Sequence, residues 1–184
     1  ENRERQRAEE GLRRSEAELF EAQRLTHTGS WKHDVASGTV TVSPEVHRIL
    51  GIKPDEDTST AEFHFNRIHP EDRPSEVRNY ERARLAKAGF ESDYRIVLPD
   101  GSIKHIHNIG HPIVNEAGEL LTFIGTAMDV TEQYGARVAL EKAFQEMQDL
   151  GDQHRLVIDT IPGLVWSALP DGSADFLNQR WLNY

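Results

Sequence analysis

Three segments, Phe90 to Leu98, Ile103 to Val114 and Leu120 to Val130, are rich in β-branched and aromatic residues and follow one another, joined by Pro99-Asp100-Gly101-Ser102 and by Asn115-Glu116-Ala117-Gly118. Both joints are hairpin signals. Residues 90–130 of any fold built on this chain must therefore form an antiparallel meander. The third segment ends in Asp129-Val130-Thr131-Glu132, where a strand runs into a helix N-terminus. Asp129 can accept from the first exposed N–H groups of that helix, and Glu132 can reach back to close a capping box.

The helix that follows is patterned for pairing. Ala136, Leu140, Ala143, Met147, Leu150, His154, Val157 and Ile161 step by four and three, the a/d seam of a coiled coil. Residues 1 to 26 carry a thinner seam of Ala8, Leu12, Ser15, Leu19 and Ala22, with Arg5 and Thr26 at its ends. Gly11 costs roughly 1 kcal/mol relative to Ala inside a helix, so partner contacts must supply part of its stability.

Between this helix and the meander, Trp31 to Val35 and Thr39 to Val42 read as a hairpin. A short helix opens at Ser43-Pro44, with Ser43 as cap and Pro44 at the first helical position, and ends near Gly51. The acidic loop around Asp55, Glu56 and Asp57 leads to a helical stretch near Ala61 to Ile68. His69-Pro70-Glu71-Asp72 is turn chemistry, and a longer helix runs from Pro74 to about Ala88, stopped by Gly89. Two strands, helices and three strands make an α+β fold, an antiparallel sheet with helices collected on one face. The opening pattern recurs: Trp31, Ser37-Gly38, a strand and a helix at Ser43 are matched by Trp166, Asp171-Gly172, Ala174 to Leu177 and a helix at Asn178. Residues 162 to 184 are too few to bury a self-sufficient core.

Several function classes are excluded or disfavoured by composition. The charge is −10, from 21 Lys and Arg against 31 Asp and Glu, and no basic block dominates a face, so no nucleic-acid or anionic-membrane surface is expected. With no cysteine, disulfides, thiolate metal sites and cysteinyl adducts are ruled out, and a reducing, cytoplasmic setting is expected. No apolar run approaches the roughly 20 residues that span a bilayer. The chain starts without Met and stops inside an apparent folded segment, as a piece of a longer protein would. Phosphate-binding glycine loops, H-E-x-x-H and G-x-S-x-G are all absent. The carboxylates at Glu71-Asp72 and Asp55 to Asp57 read as turn and loop solvation. Catalysis is expected to belong to domains outside these residues.

Taken in order and spacing, GSWKHDV, SPEVHRILGI, IHPEDR, YRIVLPDGSIKHI and GTAMDVTEQ closely resemble a PAS domain of the subtype common in bacterial sensor histidine kinases. The resemblance spans about residues 27 to 133. It implies a five-stranded antiparallel sheet with helices over one face and an internal cavity able to hold a small, unidentified ligand. It also implies that Asp129 and Thr131, the family's closing Asp-x-Thr, couple the sheet to the output helix, with Glu132 beside them. His105 stands where the family usually carries an aromatic, often Trp. Flavin-using relatives depend on a reactive cysteine, so a flavin-cysteinyl adduct is excluded. Haem in the family's oxygen sensors is held by a histidine on the long helix, and Pro74 to Ala88 contains none, so no cofactor and no flavin or haem absorbance are expected.

The expected organisation is an N-terminal signalling helix over 1–26, a PAS domain over 27–131, a coiled-coil linker helix over 132–161 and the start of a second PAS domain over 162–184. Leu12, Leu19, Leu140, Met147, Leu150, His154 and Val157 would form the seam of a parallel homodimer, since both stripes would lie exposed in a monomer. A polar His154 in the seam could set register or respond to pH. His105, His107 and His111 share one strand parity and could hold a divalent ion. The plainer reading is a half-exposed strand face, because no Asp or Glu on that strand completes a site. The function expected is a sensory relay module of a multi-domain bacterial protein, a two-component sensor histidine kinase. Adjacent PAS and output domains would be its partners. The alternatives are a ligand-free dimerisation and relay module, or the PAS domain of a cyclic-dinucleotide signalling protein.

Overall fold

The computed structural model describes residues 2–53 and 56–183; Glu1, Asp55, Tyr184 and the side chain of Ala8 on the first seam lie outside the described set. The chain divides into two units, residues 1–134 and 135–184. In the first, helix α1 (Asn2–Leu25) precedes the hairpin β1 (Thr28–Asp34) and β2 (Val40–Val42). Helices α2 (Pro44–Leu50), α3 (Ala61–Arg67) and α4 (Arg73–Ala86) come next, then β3 (Phe90–Val97), β4 (Ile103–Val114) and β5 (Leu120–Asp129). Helix α5 spans Thr131–Thr160.

The strands form one antiparallel sheet in the order β2-β1-β5-β4-β3, so the meander and the N-terminal hairpin join through β1 and β5. The turns that set the meander are built as the sequence predicts. Asp100 Oδ1 accepts from the N–H of Ser102, and Asn115 Oδ1 from that of Glu119. Helices α2, α3 and α4 cover one face. Val46, Ile49 and Leu50 of α2 are buried against Ile96, Ile106 and Ala127 from three strands, removing apolar surface worth about 1.5–3 kcal/mol per fully buried side chain.

One row across the sheet decides how this face packs. Trp31, Gly125, Gly110 and Phe90 are successive neighbours on β1, β5, β4 and β3. The outer two rings lean inward over the two glycines and stack with centroids 6.0 Å apart. Phe123, fully buried, lies 5.8 Å from Phe90 and 5.5 Å from Tyr80 of α4.

Three local expectations change. Ser43 takes the capping position of α2, but its hydroxyl makes no cap; it accepts instead from the Ser30 N–H at 3.0 Å, pinning the helix start to β1. Helix α4 ends at Lys87 in the left-handed conformation, φ 50°, ahead of Gly89. The strain of that non-glycine residue is accompanied by a bond from Lys87 Nζ to the Gly118 carbonyl. Asp72 is not a solvated turn carboxylate. It accepts from the Arg95 N–H, Nε–H and Nη2–H at 2.9, 2.9 and 2.6 Å, tying the start of α4 to β3.

The Arg95 fork holds the Asp72 carboxyl down at about 2. A depressed carboxyl stabilises the fold fully above its unfolded value, near 3.8, and progressively less as pH falls through its folded value. Allowing for screening at this partly exposed pair, the contribution is about 1–2 kcal/mol. Asp72→Asn is accordingly expected to lower the urea midpoint at neutral pH, with the difference from wild type closing as the titration approaches pH 2. Equal differences across the range would contradict the assignment.

In the second unit, β6 (Trp166–Ala168) pairs antiparallel with β7 (Ala174–Leu177), and α6 (Gln179–Leu182) follows. These segments form a hairpin followed by a single helical turn. Trp166 faces Leu177 as Trp31 faces Val42. Val165 and Asn178 exchange the same two hydrogen bonds as Ser30 and Ser43, side-chain acceptor included. Asn178 is buried, whereas Trp166 is 60% exposed.

Candidate functional site: a helix junction and a cavity

At the end of β5 the chain must leave the sheet and begin α5, and the first residues of α5 bring unsatisfied N–H groups. Asp129 Oδ1 accepts from the Thr131 N–H at 3.1 Å and from the Thr131 hydroxyl, while Oδ2 pairs with Lys104 Nζ at 2.9 Å. Thr131 Oγ1 in turn accepts from the His105 N–H at 3.0 Å, and the Val130 N–H donates to the His105 carbonyl. The first turn of α5 is thus clamped to β4 as well as β5. Burial pushes the Asp129 carboxyl up, and the bonds from Thr131 and Lys104 more than offset it, leaving the group below its ordinary value.

Lys104 on β4 is the base paired with Asp129, while Arg95 on β3 is committed to Asp72 and Glu71. The capping box with Glu132 does not form. The Asp129 N–H is taken by the His27 carbonyl at 2.9 Å. His27 links α1 to β1 with φ 50°, and its Nδ1 lies 2.8 Å from Arg48 Nη2. Arg48 also forks onto Glu45, a buried carboxylate, at 2.6 to 3.2 Å. Sequence reasoning misses this second half of the junction, because nothing local marks His27 as a hinge.

The three strand histidines are not brought together around a common point. His105 stacks on Tyr134 of α5, centroids 3.7 Å apart and planes 13° apart, filling the role of an aromatic at that position. His107 Nδ1 lies 2.8 Å from Asp93 on the neighbouring strand, and His111 lies against Gly89. Among the described residues the clustered metal-type donors are His69, Glu71 and Asp72, whose carboxylates Arg95 already engages. The seam residues Leu12, Leu19, Leu140, Met147, Leu150, His154 and Val157 are all exposed on this single chain.

Between the helices and the sheet lies a cavity of about 120 Å³. Its walls include Trp31, Tyr80, Phe90 and Tyr94, with polar groups from Glu76 on α4, Asn108 on β4, His33 on β1 and His64 on α3. Asn108 Oδ1 accepts from Trp31 Nε1 at 2.8 Å, and the Tyr80 hydroxyl bonds His33 Nδ1. Burial lowers both imidazoles, raises the Glu76 carboxyl and pushes Tyr80 up to about 12. Neither Glu76 nor Asn108 stands out in the sequence. Glu76 sits in a helix charged on every side, and Asn108 could be placed only from the strand parity it shares with the buried Ile106.

Comparison with known proteins agrees with this architecture. Residues 39–127 match a family model described as the PAS fold. The chain is 26% identical over 123 residues to the peroxide stress-activated histidine kinase mak1 of Schizosaccharomyces pombe, covering 67% of this chain and 7% of that protein. It is 25% identical over 120 residues to a blue-light-activated histidine kinase of Brucella anthropi, covering 65% of this chain and 24% of that one. A sensory box histidine kinase/response regulator structure from Burkholderia thailandensis superimposes with a TM-score of 0.57 at 25% identity, covering 71% of this chain and 98% of that one. The chain therefore spans only a small part of the curated relatives it matches. Sheet order, helical cover and family match converge on one assignment: residues 39–127, completed by β1, are a PAS domain with a helix at either flank.

Proposed function

We propose that this PAS domain is a sensory relay of a multi-domain signalling protein, a sensor histidine kinase. In this reading the cavity receives a small ligand, the sheet responds, and the Asp129-Thr131 junction converts the response into a change in the angle at which α5 leaves. The observation that carries it is the double attachment of the first turn of α5. Thr131 accepts from β4 while Asp129 bonds both Thr131 and Lys104, so a shift between β4 and β5 must move the helix start. The two histidine kinase relatives supply the output class, since most of their length lies beyond the matched region. A cavity walled by both aromatic and polar side chains favours an occupied sensor over a ligand-free relay. Output of the parent protein in junction variants tests the reading.

The repeated hydrogen-bond pattern of residues 162–184 supports the beginning of a second PAS domain, making α5 a linker between two modules. The exposed stripes on α1 and α5 support a parallel homodimer formed along the flanking helices. Light scattering at tens of micromolar, a range suited to moderate affinities, is expected to give twice the 20.9 kDa chain mass. Leu140→Asp combined with Met147→Asp should return the monomer. A monomeric wild type would refute the pairing.

A further inference from the structure

We infer that the cavity is a receptor site for a small organic ammonium ion, a protonated amine on an apolar body, with Glu76 as its counter-ion. This names the ligand class for the sensor reading and rests on it. The charge inventory of the walls comes first. Among the described residues no lysine or arginine lines the cavity, and its ionisable groups are Glu76, His33, His64, Tyr80 and Tyr94. Burial favours the neutral forms of both imidazoles and both phenols. Glu76 is left as the group that can bring charge to the walls.

Among the described residues its surroundings lack a cation. Glu76 Oε2 accepts from the Ser92 hydroxyl at 2.7 Å, and no ion pair engages the carboxylate among the described residues. The charged neighbours that act on it are Asp72 and Asp93, both acidic. A half-buried carboxylate without a basic partner is costly when ionised. A cation delivered by a ligand would remove that cost, whereas a carboxylate or phosphate ligand would meet repulsion with nothing to offset it. The rest of the wall suits the remainder of such a molecule. Trp31, Tyr80, Phe90 and Tyr94 offer aromatic surface, which attracts cations as well as apolar groups. Asn108 uses its carbonyl on Trp31 and keeps its amide N–H groups for a guest. An apolar cavity of roughly 150 Å³ holds benzene, so a space of about 120 Å³ suits a guest slightly smaller than that.

Three probes sharing one branched body of fitting size separate the possibilities: isopropylamine, isopropanol and isobutyrate, titrated calorimetrically into the 184-residue protein at neutral pH. The Trp31 indole N–H resonance serves as the local reporter. The amine is expected to bind and shift that resonance, the alcohol to bind about 10-fold more weakly, and isobutyrate to leave it unmoved. Glu76→Gln, which keeps an acceptor for Ser92, should weaken the amine by about 10- to 100-fold and leave the alcohol unchanged. Should that variant fold poorly, the ordering of the three probes on wild type decides alone. Alcohol or isobutyrate binding at least as well as the amine, or an amine affinity indifferent to Glu76→Gln, overturns the ammonium class and leaves the cavity as a ligand site. Binding of none of the three overturns the ammonium class too, and intact stimulus responses in the parent protein would then show that the relay works without this guest.

Discussion

In the full-length parent protein, Asp129→Ala and Thr131→Ala are expected to abolish most of the stimulus-dependent change in output while the PAS core stays folded. Each removes part of the clamp that fixes where α5 begins. Asp129→Ala frees Lys104 and the Thr131 N–H, and Thr131→Ala leaves the His105 N–H without its acceptor. Loss of a helix cap costs about 0.5–2 kcal/mol. That is small against a domain stability of about 5–15 kcal/mol, yet it matches the roughly 1–3 kcal/mol by which coupled sites bias one another. Thr131→Ser, which keeps the hydroxyl, should restore the response. Parallel denaturation curves separate coupling from stability: full-amplitude output in both alanine variants would reduce the junction to a strand end and a helix start.

Gly125→Ala is expected to be the more damaging change to the fold, destabilising the PAS domain by about 3 kcal/mol or more, at or above the upper range for overpacking. A Cβ at this position would drive into the Ile109 carbonyl and into the ring of Trp31, which lies across the glycine from β1. The backbone oxygen cannot rotate away as a side chain would. If Trp31 moves instead, it loses its stacking on Phe90 and its bond to Asn108, and one wall of the cavity goes with it. Gly135→Ala on α5 is the matched control. Its Cβ would meet nothing beyond its own helix among the described residues, so it should stabilise the helix by up to about 1 kcal/mol. Urea melts of the two variants check both signs, and a Gly125→Ala curve overlaying wild type would show that the row tolerates a methyl group.

The parts of this protein that local chemistry dictates were open to reading in the chain, and the parts made by distant residues were not. The meander follows from two turns whose Asp100 and Asn115 side chains close on their own backbone. Pairing of Asp129 with Lys104 is within reach of strand parity and charge. Lys87 at the end of α4 was not legible: its left-handed turn ends one segment while its amine reaches the Gly118 carbonyl, residues far apart in sequence. Ser43 illustrates a subtler miss. Its type and place both signal a cap, yet the hydroxyl gains more from tying α2 to the Ser30 N–H. Glu76 and Asn108 became candidate ligand contacts only once α4 lay over the sheet, since in sequence one looks solvated and the other unremarkable.

The hydrogen bond from the Asp129 N–H to the His27 carbonyl joins the residue that enters the sheet to the residue that leaves it. Everything between them is, in effect, a loop pinched at its neck, inserted between two helices. A module of that form can be exchanged for another of different interior without changing the separation of its entry and exit. Chimeras cut at the neck should therefore splice more cleanly than chimeras cut within either helix, and evolution has had the same seam available for swapping what a protein senses while keeping how it replies.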